Sequence, residues 1–297
     1  SNTFGYYGYL MYQYYWNGTV NGNKLTNNRI YNASTSTMGY MYGLFQAYYY
    51  NLQMNNNLVA NNIGYYGQYA FYNYSYNSGS YTLEVRQNTL KIDDANTGYS
   101  YGFDFGYYLY PYYHTTVDFT GNIADLQNIY YIYPVYTYNM TTSNYKRWDF
   151  NNYYLNNVQN QYWYCPGGSA SDFTSWNSLG FAGTSETNVN PKWRNTKTDF
   201  RSNAFLCHNN VPNPAGYFPT TGPNKIDQTN ALRNTFKSDR GAIESPMNIQ
   251  ALKTDFTIAA TVCAGYSSAT TNLYVKNKFA DTVYNFNIAY AINGGAK

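Results

Sequence analysis

What this sequence lacks most is charge. Only 11% of its 297 residues are Asp, Glu, Lys or Arg, against roughly 25% in an ordinary globular chain. The formal net charge is +3. A nucleic-acid-binding surface needs a basic face, so specific nucleic-acid binding is not expected. Basic residues gather only mildly, at Lys192, Arg194, Lys197 and Arg201 and again between Lys225 and Arg240. Such stretches read as solvated faces. No apolar run approaches the ~20 residues of a membrane-spanning helix, so no membrane span is expected. There are no heptads and no collagen period.

Histidine and cysteine are almost absent. The chain has 2 His and 3 Cys. A catalytic triad needs a base, and only His114 and His208 are available. His208 follows Cys207 directly, but adjacent side chains on a strand point to opposite faces. Neither a Gly-x-Ser-x-Gly elbow nor a phosphate loop with its Lys occurs. Cys165, Cys207 and Cys263 are far apart, with no Cys-x-x-Cys pair. Asp93-Asp94-Ala95-Asn96-Thr97-Gly98 resembles the start of a calcium loop, but Ala95 occupies a ligand position. The expectation is therefore no catalytic residue, no metal and no cofactor: a protein that is not an enzyme.

What replaces charge is tyrosine and asparagine. The chain holds 41 Tyr and 43 Asn. Tyr buries a ring while its hydroxyl finds water or a partner, and it favours strands. A Tyr/Asn surface is polar without titrating. Acid unfolding runs largely through carboxylates and buried His, and both are few, so tolerance of acid or otherwise harsh surroundings is expected.

The composition changes along the chain. Residues 1–164 hold 36 of the 41 Tyr, and the change falls at Cys165-Pro166-Gly167-Gly168-Ser169, a turn or linker signal. This suggests a Tyr/Asn-rich region, 1–164, followed by a second β-rich region, 165–297. Phe4-Gly5-Tyr6-Tyr7-Gly8 matches Ile63-Gly64-Tyr65-Tyr66-Gly67, and Gly39-Tyr40-Met41-Tyr42-Gly43 matches Gly98-Tyr99-Ser100-Tyr101-Gly102. Both offsets are 59 residues, the spacing expected of an internal duplication.

The local period is two. Tyr99, Tyr101, Phe103, Phe105 and Tyr107 alternate with small or polar residues, which reads as a half-buried strand. Asn17-Gly18 and Asn21-Gly22 read as hairpin turns. In the second region, Thr254–Ala264 and Asn272–Ile292 read as strands, and 225–239 as a short helix. Many short strands with close turn signals predict an all-β, mainly antiparallel fold. The specific expectation is a β-sandwich or jelly roll, or two sandwiches, with long loops and at most short helices.

Two functional classes fit. The first is a non-enzymatic structural subunit of a repeating assembly of its own copies: a virion capsid or coat protein, or an extracellular filament, sheath or S-layer subunit. Ser1 opens the chain without a leader-like stretch, as expected of a processed secreted chain or of a virion protein trimmed of its Met. The expected location is thus the virion, or the extracellular space and cell surface. The second class is a carbohydrate- or receptor-binding module, with Tyr99, Tyr101, Phe103, Phe105 and Tyr107 as the aromatic interface or ligand face. Glycans are then the partners. Asn17, Asn32, Asn73 and Asn139 open glycosylation motifs, no more than this Asn content produces by chance.

Overall fold

The computed structural model describes residues 7–15, 17–28, 40–48, 50–64, 66–74, 81–93, 98–105, 116–137, 145–165, 168–180, 182–202, 211–212, 227–229, 237–243, 249–256 and 271–277. The Tyr-rich region is a parallel β-solenoid. Each coil of the chain lays one strand on each of three faces. The first coil holds β1 (Tyr7–Tyr14), β2 (Gly18–Asn21) and β3 (Lys24–Thr26). The second holds β4 (Tyr40–Ala47), β5 (Leu52–Asn55) and β6 (Leu58–Ala60). The third holds β7 (Gly67–Tyr74), β8 (Thr82–Arg86) and β9 (Thr89–Asp93). The fourth holds β10 (Tyr99–Asp104), β11 (Thr116–Thr120) and β12 (Ile123–Gln127). The fifth holds β13 (Tyr131–Tyr136), β14 (Tyr145–Asp149) and β15 (Asn152–Asn156), and β16 (Asn160–Gln161) adds a sixth strand to the first face. The sheets run β1-β4-β7-β10-β13-β16, β2-β5-β8-β11-β14 and β3-β6-β9-β12-β15, and every pairing within them is parallel.

This overturns the expected antiparallel sandwich or jelly roll. The Asn-Gly signals are corners. Gly22 has φ +68°, and the chain turns there from β2 into β3 on the next face instead of doubling back. The same corner carries a left-handed residue in every later coil: Asn56, Gln87, Gly121 and Phe150, with φ between 51° and 69°. The capsid and S-layer readings, which rested on composition, find no support in this architecture.

Asparagine builds the corner. After each left-handed residue stands an Asn: Asn23, Asn57, Asn88, Asn122 and Asn151. Each of the first four donates both its backbone N–H and its Nδ2 to the Oδ1 of the next, at 2.9–3.1 Å. From Asn57 on, Nδ2 also donates to a carbonyl of the preceding coil, on Val20, Met54, Val85 and Phe119 in turn. The amide has the donors and the acceptor that such a buried column requires. Backbone bonds run on through the corner as well, from Thr89 to Asn57 and from Ile123 to Asn88, so its buried polar groups find partners.

The interior is apolar: Leu44, Phe71, Phe103 and Val135 from the first face meet Leu52, Leu83, Val117 and Phe119 from the second and Leu90 and Leu126 from the third. The last coil is closed by β17 (Trp163–Cys165), β18 (Gly168–Ala170) and α1 (Phe173–Ser178). Asp172 caps α1 by accepting from the Ser175 N–H at 2.8 Å. Trp176 of α1 is fully buried, with its ring centroid 4.9 Å from Trp163 and 5.2 Å from Tyr153. Beyond the cap, β19 (Trp193–Asn195) and β20 (Asp199–Ser202) form a short hairpin. With residues 239–243, that hairpin lies along the third face. Phe200, Ala242 and Ile243 pack there on Leu58 and Ala60, and Trp193 Nε1 donates to Asp125 at 2.6 Å.

Two further antiparallel pairs complete the described chain: β21 (Val211–Pro212) with β22 (Lys237–Ser238), and β23 (Ile249–Phe256) with β24 (Thr271–Asn277). The expected strands over 254–264 and 272–292 meet this last pair only in part. The expected helix over 225–239 ends in strand at 237–238 and otherwise lies mostly outside the described residues.

The 59-residue offset spans two coils. Tyr42 pairs with Tyr69, and Tyr69 with Tyr101, offsets of 27 and 32 residues. Glycine makes this stacking possible where coils crowd. A Cβ on Gly98 would run into the Tyr66 carbonyl and ring. Gly98→Ala is expected to lower stability by about 1–3 kcal/mol, the usual penalty of overpacking, as read by thermal unfolding. An unchanged midpoint would contradict this contact.

Candidate functional site: an external tyrosine panel

The first face is aromatic on its outside. Tyr9, Tyr42, Tyr69, Tyr101 and Tyr133 stand in register on β1, β4, β7, β10 and β13, and Tyr162 follows. Successive centroids are 4.9, 4.7, 4.3, 4.6 and 5.4 Å apart, and the rings are within 28° of parallel. A parallel sheet spaces its strands by about 4.8 Å, near the separation at which aromatic rings stack. The sheet thus sets the stack. A second column, Tyr12, Phe45 and Tyr72, stacks at 4.9 and 4.8 Å. It meets the first edge-on, as at Tyr69–Tyr72 (88°). Tyr99 and Tyr131 stack at 4.8 Å in a third row.

Only part of the expected ladder lies on this face. Tyr99 is exposed and Tyr101 half-buried, both outward in the panel. Phe103 and Phe105 are fully buried core residues, and Tyr107 lies outside the described residues. The reason is a bend. Each of the five long strands of the face carries one residue that the register skips: Leu10, Gly43, Ala70, Gly102 and Pro134. Past it the alternation is reset, so Phe103 points inward although it stands two residues after outward Tyr101. Pro134, which has no N–H to give a ladder, is tolerated at this skipped position.

The panel carries almost no charge. Its one acid, Asp104, is buried, in register with Tyr72 and Tyr136. Burial and then the neighbouring Tyr101 and Tyr42 hydroxyls raise Tyr69 far above the usual tyrosine range. Burial, then Asp104, does the same for Tyr101. These hydroxyls are neutral at any physiological pH.

The other two faces differ. On the second, Asp118 accepts from Arg86 at 2.8 Å and from Arg147 at 2.6 Å, and Glu84 pairs with Arg86 at 3.1 Å. Burial alone would raise the Asp118 carboxyl, but the two guanidiniums outweigh it and hold it below the usual range. The third face is the one covered by β20 and 239–243. At the capped end the asparagine column finishes on Glu186, whose Oε1 accepts from Asn151 Nδ2 at 2.9 Å. Burial pushes Glu186 up to about 8, against the opposing pull of Asn151 and Arg240. Arg240 itself donates to the Ser185 carbonyl at 2.8 Å and to Thr187.

Cys165 is a buried free thiol, raised by burial to about 12. Cys207, Cys263, His114 and His208 lie outside the described residues, as do Asn32 and Asn139. Asn17 is exposed, whereas Asn73 is fully buried in β7 and out of reach of a glycosylating enzyme in the folded chain. No group of three or more metal-ligating side chains occurs among the described residues. Among these residues, too, no helix is long and apolar enough to cross a membrane. The asparagine column and Glu186 were not anticipated. Their signal is an Asn recurring after a turn residue at 34, 31, 34 and 29 residues. Compared with protein-family models, curated proteins and solved structures, the chain matches none.

Proposed function

We propose that this chain is a non-enzymatic structural element, a rigid β-solenoid rod that associates with copies of itself in an extracellular filament. The tyrosine panel carries this reading. It is the one face that is neither ion-paired nor covered among the described residues, and it runs the length of the solenoid. Contiguous exposed aromatic surface marks an interaction site, and Tyr is favoured at protein interfaces. Strands of up to eight residues, six abreast, make a face of roughly 600 Å² per copy at standard strand dimensions. Two such faces bury roughly 1,200 Å², the lower end of stable interfaces.

Sugar stacking along the panel fits less well. It requires open ring faces, and within the first column the rings spend theirs on one another.

The test is solution mass and electron microscopy of the chain, beside a double variant, Tyr9→Lys with Tyr99→Lys. Both positions are exposed, at 41% and 37%, so the fold should survive. Association is expected in the parent chain and a monomer in the variant, with Kd weakened at least 100-fold. A parent chain that stays monomeric across concentration, pH and salt would refute the structural reading. Filaments that persist in the folded variant would move the contact off the panel.

A further inference from the structure

The first aromatic column ends at a cleft. Tyr162 closes it, and Tyr164 stands edge-on beside Tyr136, at 5.3 Å. Together with Ser169, Ala170, Ser171 and Ser175 they line a cleft of about 420 Å³. We propose that this cleft binds a neutral saccharide unit. The cleft shares Tyr162 with the end of the panel, but the ligand it suits does not depend on the panel associating with other copies.

The composition of the wall argues for the ligand. Its polar groups are hydroxyls: two phenols and three serines, with no charged side chain in the lining. Hydroxyls both donate and accept, which suits a ligand made of hydroxyls. Tyr162 is 38% exposed. Its ring stacks on Tyr133 on the side of the preceding coil, and the column ends with it. A terminal ring offers the open aromatic face that the rings inside the column do not, and that face suits the C–H surface of a sugar. The volume lies within the range of small-molecule clefts.

Charge excludes the main competitors. Asp172 stands next to Ser171, and its Oδ2 accepts from Ser175 Oγ at 2.9 Å. Its carboxyl is held below the usual range by the backbone and hydroxyl of Ser175, so it is ionised at neutral pH. A phosphate or a uronic acid at the cleft would meet that charge with no cation in the lining to offset it. Backbone placement also favours a built site. β18 supplies Ser169 and Ala170, and α1 supplies Ser175. Both elements are anchored by Trp176 and Trp163 in the core beneath, so the hydroxyls are held on fixed backbone.

The experiment is calorimetric titration of the full chain with lactose, cellobiose and N,N′-diacetylchitobiose to about 50 mM, with glucuronic acid as the charged comparison. At least one neutral disaccharide is expected to bind with a Kd in the millimolar range or below. Tyr162→Ala should weaken it at least tenfold. Ser169→Trp, at an exposed position, should block the cleft without touching the core, and it keeps the test decisive should Tyr162→Ala unfold. Lys24→Ala, at an exposed position of β3 away from panel and cleft, should leave affinity unchanged. Absence of binding by all three disaccharides would overturn the proposal. So would binding that survives Ser169→Trp in a folded chain, binding lost with Lys24→Ala, or glucuronic acid binding as tightly as the neutral sugars. Assembly that persists in Ser169→Trp while sugar binding is lost would confirm that the two surfaces act separately.

Discussion

Asn122→Ala is expected to lower the unfolding free energy by about 4–6 kcal/mol, enough to unfold much of the population of an ordinary domain. The side chain of Asn122 makes four buried hydrogen bonds. Its Nδ2 donates to the Val85 carbonyl and to Asn151 Oδ1. Its Oδ1 accepts from the backbone N–H and the Nδ2 of Asn88. Alanine leaves two donors on Asn88 without their acceptor and takes one bond from the Val85 carbonyl, in a place where Asn88, Asn122 and Asn151 are all fully buried. Each buried orphan costs about 1–3 kcal/mol. Asn23→Ala provides the contrast. Asn23 donates to Asn57 Oδ1 but, among the described residues, accepts from no preceding member of the column, so its loss is expected to cost about 1 kcal/mol. Urea unfolding of the two variants reads the difference. Equal losses would mean that the column does not bear stability in its middle.

The second large effect is a dependence on pH that runs opposite to common experience. Glu186 titrates at about 8 in the folded chain against an ordinary value of 4.5. A carboxyl raised on folding binds its proton more tightly in the native state. It therefore contributes stability in full below about pH 4.5 and loses it as pH rises toward 8. At about 1.4 kcal/mol per pH unit, the loss over this window is on the order of 3–5 kcal/mol. Asp125, raised by burial against its bonds from Gln127 and Trp193, adds in the same direction. Asp118 opposes them: its lowered value means stability that is present above the ordinary carboxylate range and lost as pH falls through the lowered one. The optimum should lie at mildly acidic pH. Glu186→Gln keeps an acceptor for Asn151 and removes the titrating carboxyl, so its loss of stability from about pH 4.5 to 8 should be clearly shallower than the parent's, with the Asp125 share remaining. Urea midpoints across pH 4–9 test this. A parent chain that gains stability from pH 5 to 8, or a variant with the same slope, would contradict the assignment.

The acid tolerance expected from composition gains a mechanism here. The sequence argument rested on having few acids; the structure adds that burial raises two of those acids, Glu186 to about 8 and Asp125 above its ordinary value.

The sequence showed strands more readily than their partners. Alternation at 99–105 marked a real strand, but period two does not say which neighbour lies alongside. The Asn-Gly pair at 21–22 supports a tight hairpin and a solenoid corner equally, because both need a residue at positive φ. The coil repeat was hidden by its unevenness, 27 residues between Tyr42 and Tyr69 and 32 between Tyr69 and Tyr101. Only the double step of 59 surfaced. The panel was half visible: Tyr99 and Tyr101 belong to it, while the skip at Gly102 turned Phe103 and Phe105 into the core. The cleft at Tyr162 and Tyr164 had no sequence signature, since its serines come from elements that fold over the last coil.

The asparagine column has one more consequence, for how the chain folds. Each link joins residues 29–35 positions apart, and a coil touches chiefly the coil before and the coil after. Such a molecule behaves as a one-dimensional cooperative chain, in which order nucleates somewhere and spreads by zippering. Its two ends are unequal. At one, Trp163, Trp176 and Glu186 terminate the stack; at the other, the first coil has a neighbour on one side only among the described residues. Growth is therefore expected to start against the tryptophan plug and travel toward β1, with fraying in the reverse order.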